Sequence, residues 1–109
     1  MNIKMNSGQE KARLLNKKFE EDRPSKAGKW DIKTCLIDLM EEVGELSNAV
    51  LVEEGNKSEK RRMAKVDNSL GDIQFALYLI ADKYGLDLEE EYEKVLVELE
   101  ERLKKKHFD

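Results

Sequence analysis

The sequence predicts an all-α fold, an antiparallel bundle of four helices, and three observations carry that prediction. Apolar residues recur three and four positions apart in four separate segments, the spacing of one helix face. No stretch alternates β-branched residues with period two, as a half-buried strand would. Pro24, Gly28, Gly55 and Gly85 fall between the segments, where a chain of short connections needs its breakers.

The first helix is expected from about Ser7 to Glu21, with Ala12, Leu15 and Phe19 on one face, before the breaker-rich loop "EDRPSKAGKW". Asp31 is placed to cap a second helix reaching about Glu54, and Gly55 to stop it. Ser58 is the expected cap of a third helix running to Tyr84, ended by Gly85 in the left-handed conformation. Asp87 and Glu90 then have the spacing of a capping box. The fourth helix carries the stripe Leu88, Tyr92, Val95, Leu96, Leu99 and Leu103, with Glu90/Lys94 and Glu100/Lys104 as charged pairs one turn apart.

With 109 residues, 39% of them hydrophobic and 40% charged, residues 1–109 read as one domain whose core is small for its surface. Such a chain is expected to bury more by pairing, so a homodimer or homotetramer is anticipated. No apolar run approaches membrane length, and the first residues lack the pattern of a secretion signal, so a cytoplasmic protein with no membrane partner is expected. The single cysteine, Cys35, has no nearby histidine and reads as a core thiol. A net charge of −4 removes the electrostatic basis for binding nucleic acid, although small phosphorylated ligands remain accessible through a divalent ion.

The stretch "LMEEVGELSNAV", residues 39–50, concentrates the chemistry. At about 100° per residue, Asp38, Glu41, Glu42 and Glu45 form one acidic stripe. No Lys or Arg occurs between Lys33 and Lys57 to offset their repulsion. The stripe reads either as a solvated acidic face or as a divalent-metal site. "LGDIQFALYLIA", residues 70–81, is apolar nearly all round, so Asp72 within it is expected to be buried and to face a metal, a cation or strong donors. Gly44 and Gly71 each precede an acidic residue in a helix interior. A close crossing of the second and third helices there brings Asp72 to the glutamates around a hard cation such as Mg²⁺; tight packing without a ligand is the other reading.

"EEVGE", residues 41–45, followed after a spacer by "LGDIQFALYLIADKYGLDL", resembles the two-part motif of the MazG-like, all-α nucleoside triphosphate pyrophosphohydrolases. The resemblance spans about residues 30–97. It departs at one position: three residues before Asp72 the family usually places Glu, and here stands Ser69, after Asp67 and Asn68. On a helix Asn68 and Ser69 lie about 40° and 60° from Asp72, and Asp67 about 140° away.

The resemblance implies Mg²⁺-dependent hydrolysis of a nucleoside triphosphate between the α and β phosphates, releasing a monophosphate and pyrophosphate. It assigns Glu41, Glu42, Glu45 and Asp72 to the metal, with Glu41 as ligand or as the base that orients water. Lys94 matches a lysine common after the family's Gly-Leu-Asp turn and is expected to bind substrate; Asn68, by its angle near the Asp72 face, is the other substrate-binding candidate, and with the usual Glu missing the ion is held through Asn68, Ser69 or water. Two other expectations stand beside this one: a helical oligomerisation or nucleotide-sensing module that keeps the fold without the chemistry, to which Ser69 points, and a phosphoribosyl-ATP pyrophosphohydrolase, which shares reaction type and architecture.

Overall fold

In the computed structural model, residues 7–22, 30–55 and 65–105 are described, and they form four α-helices: α1 (Gly8–Asp22), α2 (Ile32–Glu53), α3 (Val66–Lys83) and α4 (Leu88–Lys105). There is no strand among the described residues. Each boundary has a local cause. Ser7 Oγ accepts from the Glu10 N–H at 3.1 Å at the start of α1. Asp31 Oδ1 accepts from the Thr34 N–H at 2.8 Å and its hydroxyl at 2.9 Å at the start of α2. These satisfy donors that a helix N-terminus leaves unpaired.

Asp87 Oδ1 does the same for α4, accepting from the N–H groups of Glu89 and Glu90 at 3.0 and 3.3 Å. Gly55 and Gly85 terminate α2 and α3 with φ of 76° and 67°, values a side chain tolerates poorly. After α3 the Leu86 N–H reaches back to the Ala81 carbonyl at 2.9 Å and the Gly85 N–H to Asp82 at 3.1 Å, closing a Schellman turn.

The third helix differs from expectation at its beginning. Ser58 lies outside the described residues, and Lys65 is extended, with φ −90° and ψ 160°, so no helix runs unbroken from 58 to 84. The helix starts at Val66 without a side-chain cap, with Asp67 in its first turn favoured by the helix dipole.

α3 is the centre of the molecule. α2 packs along it extensively, α1 lies against it less extensively, and α4 touches it only lightly. The fully covered apolar residues are Ala12, Cys35, Ala49, Ala76, Leu79 and Ala81. Most are small, which lets helix backbones approach but removes little apolar area from water. Burial raises the pKa of the Cys35 thiol, in keeping with a core position.

Gln9, only 1% exposed, ties α1 to the turn between α3 and α4: its Nε2 donates to the Leu86 carbonyl at 2.7 Å, and its Oε1 accepts from the Leu88 N–H at 2.8 Å. Gly8 sits so close to α3 that a Cβ there would lie 2.6 Å from the Tyr78 hydroxyl. Arg13 pairs with Glu10 on its own helix and lies 3.8 Å from Asp82 on α3.

Much apolar surface stays open. α4 has no buried residue, and Leu36, Ile37, Met40, Val43, Val50 and Leu51 of α2 are all exposed. The Cα radius of gyration is 17.3 Å, against about 13 Å for a compact chain of this length. Among the described residues, no helix is long and apolar enough to cross a membrane.

Candidate metal centre

The contact of α2 with α3 builds the candidate site. Glu42 and Glu45 stand nearly one turn apart on α2, and Asp72 meets them from α3; one carboxylate oxygen of each lies within 4.8 Å of the others. Glu42 is half-buried, and Glu45 and Asp72 are exposed. The Oε2 of Glu42 is shielded from water and has no hydrogen-bond partner. A shielded, unpaired carboxylate oxygen is costly, because water's hydrogen bonds have been lost and nothing replaces them.

Electrostatics sharpen the point. Burial first, then the negative charges of Glu45 and Asp72, then a hydrogen bond of the protonated Glu42 carboxyl to Asp72, with Asp38 adding to them, raise the Glu42 pKa from 4.5 to about 7. Asp38 is also raised, by burial and then by Glu41 and Asp72. Among the described residues the ion pairs join Arg13 to Glu10 and Asp82, and Lys94 to Glu91. None of them includes a carboxylate of the cluster. Like charges at this spacing oppose one another's ionisation, a bound cation would relieve that opposition, and oxygen ligands of this kind suit a hard divalent ion.

The other expected residues are distributed differently. Glu41 is exposed and outside the three-carboxylate group, and its charge helps to raise the pKa of Asp38. Asn68 is exposed in the first turn of α3, its N–H donating to Asp67 Oδ1 at 2.8 Å. Lys94 is exposed on α4, its Nζ donating to Glu91 at 3.0 Å.

Ser69 is fully buried, and its Oγ has no partner. Two readings are corrected. Asp72 is exposed rather than buried, because α3 is packed by α2 and α1 but only lightly by α4, and its apolar sequence is not covered all round. Gly44 and Gly71 have nothing within 4 Å of where a Cβ would stand, so they mark no close crossing; the small covered residues Ala49 and Ala76 lie within the α2 and α3 packing instead.

Asp38 was legible as part of the acidic stripe, but not as a half-buried group coupled to Asp72. Its position one turn before Glu42 was the available signal. No protein-family model matches the chain, and no curated protein or solved structure matches it.

Proposed function

We propose that the protein is a Mg²⁺-dependent nucleoside triphosphate pyrophosphohydrolase that cleaves between the α and β phosphates. The observation that carries this reading is the meeting of Glu42, Glu45 and Asp72 across two helices, with the shielded Glu42 Oε2 lacking any partner. The three carboxylates fit a hard divalent cation by ligand type and by charge. Bound there, Mg²⁺ supplies the positive charge through which an acidic surface accepts a triphosphate, and polarises the phosphate that is attacked.

The chain's own residues divide the remaining work. Glu42, as its carboxylate, would hold the cation together with Glu45 and Asp72. Glu41, exposed beside the cluster, orients a water molecule and takes its proton as the water oxygen attacks the α-phosphorus. The bond from that phosphorus to the bridging oxygen breaks, and pyrophosphate leaves with the electron pair. Lys94 and Asn68 belong to this proposal as phosphate or site contacts carried over from the resemblance. A four-helix bundle that pairs as a homodimer or homotetramer in the cytoplasm also belongs to this proposal, on the small core and the sequence pattern of the chain.

The test is a panel of nucleoside and deoxynucleoside triphosphates with Mg²⁺ and the purified chain, read as pyrophosphate release, with Glu42→Gln as the control. Release that disappears in the variant is expected. A parent chain inactive across the panel rejects the reading. Ser69 favours a second one: wholly buried where the resembled family usually has a Glu, it adds no carboxylate to the cluster. A nucleotide- and metal-binding module without hydrolysis would bind triphosphate in the presence of Mg²⁺ and release nothing.

A further inference from the structure

On the far side of α3 from the metal centre lies a second concavity. Gln74, Leu77 and Tyr78 stand about 120–160° around the helix from Asp72. With Leu88, Glu89 and Tyr92 of α4 they line a cleft of about 400 Å³, at the small end of the volumes that ligand sites occupy.

The walls are two leucines and two tyrosines, and the acceptors among them are the Glu89 carboxylate and the Gln74 amide carbonyl. The Tyr78 hydroxyl is committed. It donates to Glu89 Oε1 at 2.7 Å, and Gly8 of α1 packs directly behind it. That hydrogen bond first, then burial, raises the Tyr78 pKa, with the charges of Glu89 and Asp87 adding to them, while a hydrogen bond with Gln74 acts in the opposite sense.

The charges around the cleft are acidic. Glu89, Glu90 and Glu91 fill the first turn of α4, Asp87 precedes them and Glu93 follows. Lys94, the first cation along α4, is held by Glu91 at 3.0 Å. On α1, Arg13 is paired with Glu10, and Lys11, which is exposed, does not line the cleft. Lys83 of α3 stands about 140° around the helix from Tyr78 and bears on Cys35 of α2. Among the described residues no ion pair includes Glu89.

An anion is repelled from such a place. A hard metal ion needs several oxygens, and Glu89 stands outside the group of metal-capable side chains among the described residues. What fits is positive charge on an apolar body, because aromatic faces attract a cation and a carboxylate accepts its N–H groups. We infer that this cleft binds a small organic cation, a primary ammonium carried on an aromatic or aliphatic body, with Glu89 accepting from the ammonium and Tyr78 and Tyr92 flanking it. The site is separate from the metal centre, and no step of the proposed hydrolysis passes through it.

The probes are 2-phenylethylamine, a cation at neutral pH, and 2-phenylethanol, which has the same carbon skeleton and no charge. Each is titrated into the full chain at constant ionic strength in a chelator, and two-dimensional amide NMR reads which residues respond and how tightly. The amine is expected to shift the signals of Leu77, Tyr78, Leu88 and Tyr92 saturably, with a dissociation constant on the order of 1 mM for so small a ligand. The alcohol should bind about tenfold more weakly.

Glu89→Gln keeps an oxygen for the Tyr78 hydroxyl and removes the charge. It should weaken the amine about tenfold and leave the alcohol unchanged, whereas Tyr92→Ala should weaken both; the spectrum of each variant reports its fold. The inference is overturned if those residues show no saturable shift over a millimolar range, or if the alcohol binds as tightly as the amine, which makes the cleft an apolar hollow only. It is equally overturned if Glu89→Gln binds the amine like the parent, or if the shifts gather on Glu42, Glu45 and Asp72 instead.

Discussion

Replacing Glu42 by Gln isolates the strain of the acidic cluster. The folded chain holds the Glu42 proton more tightly than the unfolded chain does, because the pKa rises from 4.5 to about 7. The stabilisation from that tighter hold is fully present below about pH 4.5 and is lost as the pH rises through about 7. Each pKa unit is worth about 1.4 kcal/mol, which gives an upper value of about 3 kcal/mol. Glu42 is only half-buried, and its neighbours Glu45 and Asp72 are exposed, so solvent screening reduces the figure to about 1–2 kcal/mol.

Glu42→Gln has no such proton to lose. It is expected to match the parent near about pH 4.5 and to exceed it by about 1–2 kcal/mol at about pH 8, roughly 5–10 °C in melting temperature. Thermal melts by circular dichroism in a chelator, at both pH values, check this. The difference between variant and parent cancels the titration of every group that does not interact with Glu42. An identical difference at the two pH values would refute the reasoning, because it would show that Glu42 titrates alike in the folded and unfolded chains.

Divalent metal should reverse the order. Mg²⁺ at a hundred times its dissociation constant stabilises the parent by about 2.7 kcal/mol, more than the advantage of the variant; calorimetry should find affinity rising with pH through about 7, and Asp72→Asn should lose most of it. Ser69→Glu is expected to destabilise by several kcal/mol in chemical denaturation, because the site is wholly buried, while Ser69→Ala is neutral or stabilising by about 1 kcal/mol. Gln9→Ala removes the two hydrogen bonds that hold α1 to the turn before α4 and should cost about 2 kcal/mol, read from the urea midpoint. Gly71→Ala meets no neighbour and should stabilise α3 by about 1 kcal/mol, whereas Gly85→Ala, at φ 67°, should destabilise by a similar amount.

The acidic cluster shows how far periodicity reaches. Glu42 and Glu45 were assigned to one face of α2, and Asp72 to the facing helix, from spacing alone, and the three do meet. Glu41 shares the stripe by angle, yet stands outside the group, because a helix face is wider than a binding site. The burial expected for Asp72 relied on the apolar character of its segment. That character says what a helix can bury, not how much of it its neighbours cover, and Asp72 stays exposed. The glycines misled for a related reason: two helices can touch through alanines elsewhere, and a glycine in an exposed position says nothing of contact.

By itself the sequence determined the all-helical character, the positions of the caps at Asp31 and Asp87, the stops at Gly55 and Gly85, and the acidic stripe of α2. Those depend on hydrogen bonds, φ preferences and angular spacing within a few residues. Only the tertiary structure decided which carboxylates meet, that Ser69 is sealed and Asp72 open, and that α4 stands away with its apolar seam uncovered. Those depend on which side of each helix its neighbours occupy, a relation between residues far apart in the chain that no local pattern encodes.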